Sequence, residues 1–329
     1  DTGEHHALTS GSDFRSSPAV SPDGQKIIFK DDSGSYDIVS VDLAGGAVHP
    51  LISTERDELM PSWAANKPVL AYVTDRNGPQ EIWLHAADGS DRPLVTARDF
   101  PAGTLQWLMG PAVSPEGDRV VYTKIDVGGG GRLWISAVAG GPPVPLTAER
   151  EPTEFPGSWS LDGSWFAYIA FQEGKPNLMK VKTGGQAAPV TVKPDVSYDN
   201  DAVPVWSPAG DWILLGESLY SPDGKTVRSL GEHHSDGYAF APDGKRVYGL
   251  RPTGEGEMLF TVDLAGGGET VIGNVGQENR PTSNLNPAGR LSLAPDKRSI
   301  AFGVARFRGN LWMLEGFAVK GGWLQRLGL

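Results

Sequence analysis

A four-residue turn recurs along this chain and limits its fold more than any other feature. "SPDG" stands at residue 21, followed by "AANK" at 64, "SPEG" at 114, "SLDG" at 160, "SPAG" at 207, "APDG" at 241 and "APDK" at 294. Neighbouring copies start 34 to 53 residues apart, close to the roughly 40–45 residues of one four-stranded propeller blade. Such turns are common in loops of any fold, so the flanks decide. A short strand precedes each turn, as in "PSWA" (61–64) and "PVWS" (204–207), and an alternating strand follows, as in "RVVY" (119–122) and "WFAYIA" (165–170). A third strand, such as "EIWLHAA" (81–87) or "MLFTVDL" (258–264), leads through a Gly-rich turn to a fourth, such as "RPLVT" (92–96).

The pattern predicts an all-β, seven-bladed β-propeller of four-stranded antiparallel blades. These cover about 17–53, 61–96, 110–148, 156–192, 203–231, 236–273 and 289–317, as one domain over 1–329. The fifth unit is abbreviated, and its extra "SPDG" at 221–224 reads as an outer hairpin turn. The seventh lacks a fourth strand, while "HALTS" (6–10) has no partners of its own, so the N-terminal strand is expected to close the last blade. Among 329 residues, 43 glycines, 26 prolines and 10 tryptophans fit short strands, tight turns and aromatic packing.

"SPDGQKIIF" followed by "YDIVSVDLAGGAVHPL" resembles the WD40-like repeat of TolB-type propellers. It is similar also to the propellers of prolyl-oligopeptidase-like proteins and of bacterial kinases and winged-helix regulators, whose ends "NLWMLEGF" resembles. The resemblance implies a bacterial protein and a six-bladed ring in TolB itself, from which seven copies depart. One scaffold serves several tasks in these families, so the resemblance implies fold more than function.

A formal charge of −11 disfavours nucleic acid and anionic membranes as partners. No apolar run is long enough for a membrane helix, and "DTGEHHALTS" is no signal peptide. Without cysteine there is no thiolate chemistry, disulfide or Cys-ligated zinc. The mature chain is expected in the periplasm or outside the cell, with the cytoplasm also open, as a monomer or part of a larger assembly.

Three catalytic motifs fail on spacing. No serine has glycines two residues to either side, as a hydrolase elbow needs. "GKT" (224–226) has Leu219 where a phosphate loop needs glycine. "DDSGSYD" (31–37) carries its glycine at the wrong place for a calcium loop and reads as a hairpin loop.

Eight tryptophans fall on repeat strands, where they are expected to pack between sheets: Trp63, Trp83, Trp134, Trp159, Trp165, Trp206, Trp212 and Trp312. Trp107, in a connection between blades, is a candidate contact. Fourth-to-first and second-to-third connections crowd one face of a propeller. The former carry Arg15, Arg56, Asp57, Glu58, Arg150, Glu154, Asp199, Asp201, His233, His234, Asp236 and Arg280. Of these, Arg56, Glu58, Arg150, Glu154, Asp199, Asp201 and Arg280, with Trp107, are the expected ligand-binding set. A solvated rim of weak ion pairs is the alternative.

In "EHHSDG" (232–237), His234 and Asp236 project together from an extended segment and are the candidate metal ligands. No other cofactor is expected. The leading expectation is a non-enzymatic scaffold or sensor propeller that binds a protein, peptide or saccharide at the funnel face. The alternative is a metal-dependent polysaccharide lyase or hydrolase resembling oligogalacturonate lyase.

Overall fold

The computed structural model describes residues 14–148, 153–185, 188–198, 202–279, 281 and 290–315. The chain divides into two compact units, one of residues 36–305 and one of 1–35 with 306–329.

Five four-stranded antiparallel sheets follow one another in the larger unit. Blade I comprises Glu58–Trp63, Val69–Thr74, Glu81–Ala86 and Asp91–Val95. Blade II comprises Leu105–Val113, Arg119–Asp126, Gly131–Ala137 and Val144–Pro145. Blade III comprises Glu154–Trp159, Trp165–Gln172, Lys175–Lys182 and Val190–Lys193. Blade IV has the short strands Val205–Trp206, Ile213–Leu215, Ser218–Tyr220 and Val227–Ser229, and the "SPDG" at 221–224 makes its outer hairpin as expected. Blade V comprises Gly237–Phe240, Arg246–Thr253, Gly256–Asp263 and Glu269–Asn274.

Blade VI draws on both ends of the chain. Ser292–Leu293 pairs with the start of Ser299–Glu315, that strand with Lys26–Asp42, and the latter's second half with Val48–Ile52. The all-β architecture of four-stranded blades is as expected, but the sheets of the described residues number six rather than seven. The sequence pattern makes a blade of each of the repeats at 21 and 294. The last supplies first and second strands, the first supplies third and fourth, and together they make one sheet. Closure by strands from both ends therefore stands, with Lys26–Asp42 and Val48–Ile52 as the N-terminal contribution; "HALTS" (6–10) lies outside the described residues. Residues 31–37, expected as a hairpin loop, are strand, because Lys26–Asp42 runs without interruption alongside an equally long partner.

The ring closes through its core. Consecutive strand residues face opposite sides of a sheet, so Val120 packs toward blade I with Tyr122, Ile82 and Leu84, while Val121 packs toward blade III with Phe166 and Tyr168. Ile169 and Leu178 meet Ile213 of blade IV, and Leu214 meets Phe240 and Val262 of blade V. Leu250 and Leu259 meet Val39 and Phe302 of blade VI, and Ile38 with Ala301 meets Leu70 and Tyr72 of blade I. Among the described residues, six interfaces for six sheets leave each blade covered on both faces, which explains the near-continuous apolar second and third strands.

The repeat turns, apart from the worn copy at 64–67, are small hydrogen-bonded units. Ser114 N–H donates to Arg119 O at 2.8 Å and Gly117 N–H to Ser114 O at 2.9 Å, and Ser160, Ser207 and Ala241 repeat both bonds. The fourth position is left-handed, with φ of 71° at Gly117, 68° at Gly163 and 64° at Gly244, a region where glycine has no Cβ penalty. Lys297 holds the same position at φ 62°.

In the smaller unit, Phe14–Val20 runs antiparallel to the first half of Lys26–Asp42, with a bulge between Ser16 and Ala19. Lys26 Nζ lies 2.8 Å from Glu315 Oε1.

Candidate binding site in the central channel

The first strands of the blades line a cavity of about 280 Å³. Bulges shape its wall. In blades I, II and III the register slips between Leu59 and Ser62, Met109 and Ala112, and Phe155 and Ser158. A bulge frees backbone groups from the ladder, and two of the carbonyls so placed, of Pro111 and Gly157, find one donor. Arg290, which precedes the first strand of blade VI, donates from Nη1 to Pro111 O at 2.7 Å and from Nη2 to Gly157 O. The side chain thus links blade VI to blades II and III. Arg290 is 9% exposed, and burial pulls its pKa down to about 10, so it remains charged at neutral pH.

Serine hydroxyls sit around the same wall and stitch neighbouring first strands. Ser292 Oγ accepts from Trp63 N at 2.7 Å, Ser62 Oγ from Val113 N at 3.1 Å and Ser158 Oγ from Trp206 N at 2.7 Å. Trp63, Trp159, Trp206, Phe240 and Leu293 supply apolar wall, and Pro115, Leu161, Pro208 and Pro242 of the repeat turns stand at one end. Lys297, whose Nζ donates to Ala65 O at 2.6 Å, is the second cation of the lining. Among the described residues no Asp or Glu lines this cavity.

The residues expected from sequence occupy other places. Glu58 is fully buried (0% exposed) and accepts from Thr54 N at 3.1 Å and Thr54 Oγ1 at 2.6 Å, with Arg76 Nη2 at 3.5 Å. Glu154 is buried likewise and accepts from Leu133 N at 2.8 Å and Thr147 Oγ1 at 2.5 Å. Burial pushes both carboxyls above the usual range, against the pull of these bonds. Each fastens the chain leaving one blade to the strand that opens another. Arg56 is exposed, and its N–H donates to Thr54 Oγ1 at 3.1 Å. Trp107 is 53% exposed and Val127 62% exposed on adjacent strand ends of blade II, where fourth-to-first and second-to-third connections meet. Arg150, Asp199, Asp201 and Arg280 lie outside the described residues.

His234 and Asp236 line a shared cavity of about 250 Å³ with Glu217. The backbone N–H groups of His233 and His234 both donate to Glu217 Oε1 at 2.6 Å. His233 Nδ1 is 3.0 Å from Glu269, which Arg251 grips through both oxygens at 2.6 and 2.8 Å. Arg251, then burial's opposing effect and His233, leave the Glu269 carboxyl below its usual range. Among the described residues no group of three or more His, Cys, Asp or Glu is arranged to hold a metal ion. No helix of the described residues is long and apolar enough to cross a membrane.

Seven of the eight repeat tryptophans pack as expected, whereas Trp312, on the outer part of the long strand Ser299–Glu315, is 54% exposed. Trp159 Nε1 donates to Ala112 O at 2.9 Å, and Phe100 meets Trp134 edge-on at 5.2 Å. Cations cover several rings, with Arg76 4.4 Å from Trp83 and Lys180 4.6 Å from Trp165. Sequence reasoning missed Arg290. The signal was a cation at a position filled by Met60, Gly110 and Pro156 in blades I to III.

The fold is that of a TolB-like β-propeller. Over 117 residues the chain is 26% identical to the Tol-Pal system protein TolB of Anaeromyxobacter dehalogenans, matching 35% of this chain and 25% of that protein. Over 220 residues it is 29% identical to the uncharacterized peptidase YuxL of Bacillus subtilis, matching 64% of this chain and 31% of that protein. The chain thus spans about a third of the length of one of these relatives and a quarter of the other. A protein assigned as a TolB from Agrobacterium tumefaciens superimposes with a TM-score of 0.61 at 16% identity, over 84% of this chain and 99% of that one. No family model matches the chain.

Proposed function

We propose that this ring is a non-catalytic recognition module that binds a protein or peptide at the channel cavity. The supporting observation is the wall itself: first strands of all six blades converge on one concave surface, apolar at its turn end and hydroxyl-lined within. Such concave, mostly apolar sites with few polar groups suit ligand binding. The interlocked blades hold these groups in place before a ligand arrives, which lowers the ordering cost of recognition. Similarity to a Tol-Pal system protein supports a protein or peptide ligand over a saccharide, and supports a bacterial periplasmic setting.

The test is selection of peptides from a random library on the immobilised protein, repeated with Leu161→Asp. Leu161 is 44% exposed at the cavity mouth, so the variant should fold normally. Recovered peptides should lose most of their affinity for it; selection of none, or of peptides indifferent to Leu161, counts against the reading. A second reading places the contact at the other end of the ring, on Trp107 with Arg56, because two large apolar side chains stand exposed there. In that case Trp107→Ala, and not Leu161→Asp, abolishes binding.

A further inference from the structure

We propose that the channel cavity selects a carboxylate, presented by a peptide chain end or by an acidic side chain, and that Arg290 receives it. This rests on the recognition reading above. Arg290 carries five N–H donors, of which two meet carbonyl oxygens of Pro111 and Gly157. Carbonyls satisfy hydrogen bonds, but they do not neutralise a charge. The guanidinium is buried, and a buried charge is costly unless an opposite charge accompanies it.

Among the described residues the cavity wall offers no such charge. Its charged lining groups are Arg290 and Lys297, with no Asp or Glu among the described residues, in a chain whose formal charge is −11. A local excess of positive charge against that background draws an anion into the cavity. Serine hydroxyls nearby supply further donors: Ser62, Ser158 and Ser292 each accept a backbone N–H, which leaves the hydroxyl proton of each free to turn toward a ligand oxygen. The apolar wall beside them suits the side chain next to the carboxylate. A planar carboxylate is also the partner that a guanidinium fork matches best.

A simple brace is the competing explanation for Arg290. A neutral amide side chain or a water could join two carbonyls without burying a charge, so bracing alone does not account for arginine.

Three capped tripeptides test the inference by titration calorimetry on the intact chain: N-acetyl-Ala-Ala-Phe as free acid, the same peptide as its amide, and N-acetyl-Ala-Glu-Phe amide. The acid should bind about tenfold or more tightly than its amide, the difference expected for a charge-assisted bond. If side-chain carboxylates serve as well, the Glu-containing amide recovers that affinity; if it binds like the plain amide, the site takes chain ends only. Arg290→Gln, checked for fold by circular dichroism, should bind acid and amide alike. The wild-type comparison stands even if that variant fails to fold. Equal binding of all three peptides by the wild-type chain overturns the carboxylate inference and leaves the recognition reading intact. Binding of none of them overturns both at this cavity.

Discussion

Arg290, at the start of blade VI, donates across the channel to the carbonyl of Pro111 in blade II at 2.7 Å, and its other terminal nitrogen serves Gly157 in blade III. One side chain therefore ties three blades that share no sheet. Replacing it with leucine leaves two inward carbonyls without that donor, at about 1–3 kcal/mol for an unsatisfied buried group, while removing a buried charge offsets part of the loss. Arg290→Leu should lower the urea midpoint with an unchanged slope, the sign of lost stability without loss of fold. A midpoint at or above that of the parent chain would show that the charge costs more than its bonds contribute.

Two backbone positions should respond in opposite directions. At Gly157, inside the blade III bulge, an added Cβ would overlap the carbonyl of Ala167, and overpacking of this kind costs about 1–3 kcal/mol. Lys297 holds the left-handed turn position at φ 62° that Gly117 and Gly244 hold in other copies. A side chain there costs about 1–2 kcal/mol, so Lys297→Gly should stabilise by up to about 1 kcal/mol after loss of its exposed bond to Ala65 O. Thermal melts of Gly157→Ala and Lys297→Gly should move down and up respectively.

The repeat made most of the fold legible. Turn chemistry at Ser114, Ser160 and Ser207, the order of four strands in blades I to V and the hairpin at 221–224 are all where the pattern puts them. The blade count was not legible, because the repeat is a unit of sequence and the blade a unit of pairing. Lys26–Asp42 and Ser299–Glu315 pair with each other rather than each turning back on itself, so two sequence units share one sheet. Polar residues of the links looked like a site for a similar reason: sequence shows that Glu58 and Glu154 are acidic, but not that Thr54 and Thr147 already occupy their oxygens. The importance of Arg290 depends on Pro111 and Gly157, more than a hundred residues away, which no local pattern reveals.

Glu154 gives a pH test. Its folded carboxyl titrates above the ordinary glutamate value of 4.5, burial being the main cause. The folded state therefore holds a proton more tightly than the unfolded chain. This favours folding fully below about pH 4.5, and the benefit is lost as pH rises through the raised folded value. Glutamine accepts the same bonds from Leu133 N and Thr147 Oγ1 and does not ionise. The stability of Glu154→Gln relative to the parent should accordingly rise between pH 4 and 7. A difference that is flat across this range, or that falls, would mean the carboxylate is stabilised where it sits.

Two buried indoles separate packing from hydrogen bonding. Trp159 Nε1 donates to Ala112 O, whereas Trp206 Nε1 is buried with no acceptor among the described residues. Phenylalanine at 159 loses that bond and leaves a carbonyl behind, about 1–3 kcal/mol. At 206 it removes an orphan donor, which offsets the lost apolar area, so Trp206→Phe should cost distinctly less. Equal losses in chemical denaturation would assign the effect of both rings to packing.

The six-sheet ring makes a prediction about length. Every core cluster that joins one blade to the next is made of residues between Tyr36 and Val304, and the larger compact unit has the same limits to within a residue. A chain cut to 36–305 keeps both strands that each end contributes to blade VI, since Ile38 to Val41 pair with 48–52 and Ile300 and Ala301 pair with 292–293. Urea denaturation followed by tryptophan fluorescence should show one cooperative transition, with a midpoint within about 15% of the full chain's, comparable to the precision of such extrapolations. A ring of seven would lose a blade to the same cut and expose two uncovered sheet faces, and the fragment would then be aggregated or unfolded under native conditions.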